Sequence, residues 1–293
     1  MKKHAYLILA HKNPSQLKLL LSLLDDERND IFVHIDKKAA FSEGDLQGCC
    51  SKSQLEFIQP RIRVIWGGVS IIKAEMALLK TAVRTPHTYY HLLSGLDLPI
   101  KSQDYIHDFF DANAGKEFID LWEMQDHTLN RVKYYTLFPE GSHFFLTNWL
   151  NHAGKFILRS LGIEMNRDIE FRQGSQWFSI THDFATFIAN SGDWIDKVFR
   201  HSCICDEIFI PTVMWRSPYK DNLYKCGQAI GHENTCANMR HIDWTRGPSI
   251  RHPWTYTIRD KELLKSSPCL WARKFDEKVD SDIIEEVAEW TKG

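Results

Sequence analysis

Tyr6-Leu7-Ile8-Leu9-Ala10 is an unbroken apolar run, and the residues behind it, Asn13-Pro14-Ser15 and then Leu17, Leu20, Leu21 and Leu24, change the period of the pattern. A run this short reads as a buried strand, Asn-Pro-Ser as a turn and helix start, and leucines three and four apart as the core-facing stripe of a helix. The chain therefore opens strand, turn, helix. Ile31-Phe32-Val33-His34-Ile35-Asp36 predicts a second strand that ends on a carboxylate, and Arg63-Val64-Ile65-Trp66 a third that stops at Gly67-Gly68. Ile71, Ile72, Met76, Leu79 and Val83 predict a helix, and Tyr89-Tyr90-His91-Leu92-Leu93 a fourth strand, broken at Ser94-Gly95-Leu96-Asp97-Leu98-Pro99 where Gly and Pro end regular structure. Strands alternating with helices imply the α/β class, with a mostly parallel central sheet and flanking helices.

Ligands on such sheets bind beyond the carboxyl ends of the strands, where Asp36, Gly67-Gly68 and Asp97 fall. The expectation is one domain over residues 1–293, with a nucleotide-binding half at 1–110 and a second half at 111–293. Residues 121–172 are rich in aromatics and His with poor periodicity, which suggests a helical insertion or a substrate-facing excursion. Ile283, Ile284, Val287 and Trp290 predict a closing amphipathic helix.

Composition narrows the function classes. At 293 residues, with 43% hydrophobic and 25% charged residues, the chain reads as an ordinary globular protein and not a disordered or stapled one. Its 36 basic and 38 acidic residues give a net charge of −2, which supplies no general drive toward nucleic acid. Any anion must be held by a few placed cations. The N-terminus has about six apolar positions before His11 and Lys12, short of a secretory core or a membrane span. With seven scattered cysteines, this predicts reduced thiols in a cytoplasm.

Several stretches could carry chemistry. Cys205-Asp206-Glu207-Ile208-Phe209-Ile210-Pro211-Thr212 sets two carboxylates at the mouth of an apolar helix. Both could simply favour the helix N-terminus, or one could project into a cleft as a general base. Arg246, Arg251, Arg259, Arg273 and Lys274 lie in a stretch rich in Trp, Pro and His; taken singly each is a solvated cation, but together they suit a diphosphate. Gly174-Ser175-Gln176-Trp177-Phe178-Ser179-Ile180 can be core packing or a sugar-stacking edge. His201, Cys203 and Cys205 lack the second ligand pair of a zinc site, and Gly67-Gly68 lacks the Lys-Ser/Thr of an ATP-binding loop, so no metal is assigned.

Leu9-Ala10-His11-Lys12, Val33-His34-Ile35-Asp36, Leu93 to Lys101, Gly174 to Phe178, Asp206-Glu207 and Ala272-Arg273-Lys274-Phe275-Asp276 run in an order that resembles the core-2/I-branching glycosyltransferase family, which includes the peptide O-xylosyltransferases. The resemblance implies a GT-A type fold, a UDP-sugar donor with no further cofactor, and inversion at the anomeric carbon. It implies a catalytic domain whose half at 111–293 binds acceptor and diphosphate, with Glu207 as catalytic base, Arg251 and Lys274 on the diphosphate, and Ile8 and Asp36 at the uridine. Trp244, Trp177 and Glu117 fall to the acceptor. Most GT-A enzymes hold a divalent metal on an Asp-x-Asp element; Leu96-Asp97-Leu98 stands there in this chain, so the two cations are expected to stabilise departing UDP instead.

The expected reaction moves a sugar, GlcNAc first and xylose as the alternative, to a hydroxyl of a glycan. A lipid-linked oligosaccharide acceptor would bring a cytoplasmic enzyme to the inner membrane face, as a peripheral contact. Two other classes remain open. A sugar-binding module with a decayed site would keep the aromatics without Glu207, Arg251 and Lys274 together, and a glycoside hydrolase would need two acids flanking one bond.

Overall fold

The computed structural model describes residues 2–141, 144–225, 236–246 and 252–292. In chain order the elements are β1 (His4–Ala10), α1 (Pro14–Leu23), β2 (Asn29–Ile35), β3 (Gln54–Phe57), α2 (Ser70–Ala82), β4 (Tyr89–Ser94), β5 (Asp97–Pro99), α3 (Gln103–Ala112), β6 (Phe118–Ile119) and β7 (Trp122–Glu123). They continue with α4 (Asp126–Lys133), α5 (Phe145–Ser160), β8 (Arg172–Gln173), β9 (Phe178–Thr181), α6 (His182–Asn190), α7 (Gly192–Phe199), α8 (Asp206–Arg216), β10 (Arg240–Ile242), α9 (Lys261–Ser266), β11 (Trp271–Arg273) and α10 (Asp282–Thr291).

The apolar run at the start becomes β1, buried along its whole length and paired in parallel with both β2 and β4. Strand geometry sends alternate side chains to opposite faces. Leu7, Leu9 and Leu92 pack with residues of α2, α6, α7 and α8, whereas Tyr6, Ile8 and Leu93 pack with α1, α3 and α10. The result is a helix–sheet–helix sandwich with a six-stranded sheet of order β3-β2-β1-β4-β9-β6. Only the β9 pairings, to β4 and β6, are antiparallel. The α/β class and the mostly parallel sheet are as the sequence predicts.

A second, three-stranded sheet of order β10-β11-β5 joins distant parts of the chain. β5 follows β4 directly, and its pairing with β11 sets Arg273 opposite Asp97 at the carboxyl end of β4. Strands from both sides of the 110/111 boundary therefore share both sheets.

One predicted strand is absent. Residues 63–66 form no strand, and the third parallel strand is Gln54–Phe57, paired with β2 at the sheet edge. The edge strand is only partly buried, so Gln-Leu-Glu-Phe carries no apolar run. Val64, Ile65 and Trp66 are apolar because they wall a cleft. The excursion at 121–172 holds α4 and α5, and the closing helix is α10, with Ile283, Ile284 and Val287 buried.

Candidate active site

A cleft of ≈ 290 Å³ opens beyond the carboxyl ends of β1, β2 and β4. Leu9, Ala10 and His11 come from β1 and its end, His34 and Asp36 from β2 and its end, and Ser94 from β4. Residues 64–67 cross one side, and Gln176, Trp177, Asp206, Lys38 and Arg273 complete the wall. Asp36 is positioned by the sheet: its N–H donates to the Ala10 carbonyl at 2.8 Å, and its carboxylate accepts the Lys38 N–H at 2.8 Å.

Of the two cations in the wall, Lys38 lies 3.8 Å from the Asp36 carboxylate and Arg273 is held from behind. Its Nη1 donates to Asp97 Oδ1 at 2.7 Å, while Asp97 Oδ2 accepts the Ser94 N–H at 2.8 Å. The guanidinium also lies 4.3 Å from the centre of the Trp177 ring. An ion pair behind and an aromatic face beside it fix the orientation of a planar group that can grip two oxygens. Lys274 follows, held below its ordinary value by burial, Arg273 and Lys12, with Asp276 opposing. His11 is lowered by burial first and then by Lys12 and Arg273. Cations that repel one another in a partly buried space favour an anion between them.

The acid pair begins α8, where free N–H groups of the first turn favour negative charge. Asp206 faces the cleft and its buried Oδ1 has no hydrogen-bond partner; burial raises its pKa. Glu207 is raised by burial and by Asp206, with Arg131 and Gln173 opposing, and is not part of the wall of this cleft. Behind them Glu75 is fully buried, accepts the Gln176 Nε2 at 2.7 Å and leaves Oε2 unpartnered, with burial pushing its pKa well up. Gln176 therefore links a buried acid to the cleft. A Cβ on Gly174 would stand 1.9 Å from the Asp120 carbonyl oxygen, so only glycine lets this segment run so close to β6 and aim Gln176 and Trp177 into the opening.

The structure gathers Asp36, Trp177 and Arg273 at one opening, with Lys274 adjoining through Arg273. Trp244 is exposed and follows β10, and Arg251 lies outside the described residues. Two assignments need correction. Ile8 is wholly enclosed in the core on the α1 face and does not line the cleft; its neighbours Leu9 and Ala10 do. Glu117 cannot meet an acceptor there. Its carboxylate is fully buried and accepts the Thr181 N–H at 2.9 Å and hydroxyl at 2.5 Å, and Thr181 pairs with Tyr89, at the opposite end of β4 from the cleft.

Other candidates are spoken for. Arg246 donates to Asp243 at 2.6 Å and to Asp260 at 2.7 Å. The Cys203 sulfur accepts from Lys155 at 3.1 Å, His201 stacks on Tyr135, and Cys205 is buried in the core. Among the described residues no group of three His, Cys, Asp or Glu side chains converges as a metal site requires. Sequence reading names Arg273 only as one of five cations, leaves open which acid of the Asp206-Glu207 pair faces a cleft, and gives Gln176 no role apart from its stretch. The signal for Arg273 was its partner, the lone acid of Leu96-Asp97-Leu98, but an antiparallel pairing across 176 residues is not visible in one sequence.

The family model for core-2/I-branching enzymes matches residues 4–266, and the chain belongs to that family. Rat xylosyltransferase 2 is 22% identical over 296 residues, an alignment covering 96% of this chain and 33% of the rat protein. Human N-acetyllactosaminide β-1,6-N-acetylglucosaminyl-transferase is 23% identical over 289 residues, covering 93% of this chain and 68% of that protein. The chain thus spans a third of the length of the xylosyltransferases it matches. Mouse xyloside xylosyltransferase 1, solved in its apo form, superposes with a TM-score of 0.35 at 9% identity, covering 75% of this chain and 83% of the mouse chain.

Proposed function

We propose that the chain is an inverting glycosyltransferase of GT-A type, taking a UDP-sugar as donor and a glycan hydroxyl as acceptor. The observation that carries the reading is the cleft itself, with Asp36 on one wall and the oriented Arg273 guanidinium on another, in a member of a family whose relatives are named for sugar transfer. Asp36 is suited to the uridine, and Arg273, Lys274 and Arg251 to the diphosphate. Transfer then needs a base to take the acceptor proton as its oxygen attacks the anomeric carbon. The bond from that carbon to the diphosphate breaks on the opposite face, and UDP leaves with added charge that the cations stabilise.

Glu207 is the proposed base. Its raised pKa makes it a stronger proton acceptor once ionised, and places the acid limb of the rate above the ordinary glutamate value of 4.5. A second reading makes Asp206 the base, favoured by its place in the cleft wall. Charge neutralisation by side chains in place of a metal is supported by the state of Asp97: one oxygen holds Arg273, the other a backbone N–H, and the carboxylate is fully buried, so this donor set does not fit a divalent cation.

GlcNAc is the proposed sugar and xylose its rival, since relatives named for both align along nearly all of this chain. Trp177 and Trp244 are the proposed stacking surfaces for the acceptor, and a lipid-linked oligosaccharide at the inner membrane face is the proposed source of it, reached from the cytoplasm. None of the described helices is long and apolar enough to cross a membrane. A thermal-shift screen of nucleotide sugars is the test: UDP-GlcNAc should raise Tm in a concentration-dependent way, and UDP-xylose should do so instead if the rival holds. A screen in which no UDP-sugar shifts Tm would overturn the reading.

A further inference from the structure

α5 is a helix of sixteen residues in which only Asn151 is fully buried, and its large apolar side chains point outward. Phe145, Trp149 and Phe156, 88%, 58% and 72% exposed, recur at spacings of four and seven and so share one face. Leu146 and Ile157 form the adjoining stripe, and Phe144 and Leu161 extend it at the two ends. Isolated exposed apolar residues need no explanation, but a continuous aromatic and aliphatic face on one helix marks a surface that something covers.

Charge says what covers it. Residues 141–163 contain Lys155 and Arg159 and no Asp or Glu, in a chain whose net charge is −2. Arg159 is exposed, Lys155 is half-buried, and both lie along one flank of the apolar face. An apolar face rich in Trp and Phe with cations at its border is the chemistry of a helix lying in the headgroup region of an anionic bilayer. A second copy of this chain would cover the apolar side chains but offers the flanking cations no opposite charge, which an anionic surface does.

We infer that α5 docks the protein on an anionic phospholipid surface. The helix is tied to the cleft through its own anchor. The Asn151 side chain accepts the Phe138 N–H at 2.9 Å and donates to the Phe138 carbonyl at 3.1 Å. Two residues on, Glu140 accepts the Ser70 N–H and hydroxyl, each at 2.7 Å. Ser70 in turn accepts the N–H of Ile65, a cleft-wall residue. Docking through α5 would therefore bring a segment bonded to the cleft wall to the surface on which a lipid-linked hydroxyl is presented. The surface deepens the acceptor reading above but does not depend on the transfer chemistry.

Flotation of the full chain with vesicles tests it, using phosphatidylcholine with and without phosphatidylglycerol. The wild type should float with the anionic vesicles and weakly with phosphatidylcholine alone. The double variant Trp149→Ser/Phe156→Ser should lose at least about tenfold in partitioning, since binding follows the apolar area inserted. Arg159→Glu should lose about fivefold or more on anionic vesicles only, because each surface cation is worth about that factor. These side chains are exposed, so Tm and UDP affinity should not move, which separates lost docking from lost fold. Failure of UDP to bind a protein that still floats in this residue-dependent way would break the transfer reading and leave the docking surface standing. The proposal is overturned if the wild type does not float, if the double variant floats equally well, or if the wild type is a dimer that the double variant abolishes.

Discussion

The two ends of the central sheet bury similar groups and treat them differently. At the end where β1 and β4 begin, burial pushes the Asp30 carboxyl up, but Lys3 at 2.8 Å and His87 at 3.0 Å outweigh it and hold the group below its ordinary value. Glu117 there takes both donors of Thr181, and His107 pairs with Asn29 at 2.9 Å. At the other end, Asp206 and Glu75 are buried with an oxygen unpartnered, and Lys274 is crowded by like charge. Buried polar groups are normally satisfied; the carboxylates of the first end are, though His87 Nδ1 there has no partner, so that end is structure, whereas the second has the unpaired acids and convergent cations of a binding site.

The largest expected effect lies at the unpaired end. Glu207→Gln should reduce transfer by roughly 10²–10⁴-fold, the contribution typical of a positioned base, with UDP affinity unchanged. Asp206→Asn should be milder. Steady-state rates of the two folded variants decide between the acids: the reverse order would move the base to Asp206.

Next come the cations. Lys274→Ala should lower kcat as well as weaken donor binding, because charge on UDP grows as the bond breaks. Arg273→Lys should not restore the rate, since a point charge cannot make two parallel N–H bonds. Full activity in Arg273→Lys would show that only net charge matters there.

At the paired end the effect should appear in stability alone. Glu117→Ala should cost about 1–3 kcal/mol, from the stranded Thr181 donors, with UDP affinity intact. Burial pushes Glu117 up to about 7 despite those donors. Its folded pKa exceeds the unfolded one, so its contribution is complete below the ordinary 4.5 and is lost as pH rises through about 7. The Tm difference between wild type and Glu117→Gln should therefore shrink from pH 4.5 to pH 8. A change in transfer rate at constant stability would restore Glu117 to the acceptor.

The smallest expected effect is that of a chelator. Excess EDTA should leave the rate within error; a rate lost to EDTA and regained with manganese would show that the donor site is misread.

The sequence makes the fold legible where burial is two-sided. β1, β2 and β4 are buried along their lengths and centred on apolar runs, and α1 and α10 carry clean helical stripes, because each has one burial demand along its length. It misleads where apolar side chains serve something other than the core. Residues 63–66 look like a strand because a cleft wall and a strand ask for the same residue types, and Gln54–Phe57 goes unseen because an edge strand is half polar. In residues 121–172 the sequence hides the role of α5 for a related reason: its apolar face is turned outward and not toward the core. In the site, Asp36 at a strand end and the acids at a helix start are legible from position, but which acid faces the cleft, and that Arg273 is oriented by Asp97 and Trp177, depend on pairings between distant segments.

Calorimetric titration of UDP and of uridine into the wild type and into Arg273→Ala tests most directly that the unpaired end of the sheet is a nucleotide-diphosphate site. A charge-assisted contact to phosphate is worth about 1.5–3 kcal/mol, so UDP should bind the variant roughly ten- to hundredfold more weakly while uridine binds both proteins alike. Equal losses for UDP and uridine, or no loss for either, would contradict the account.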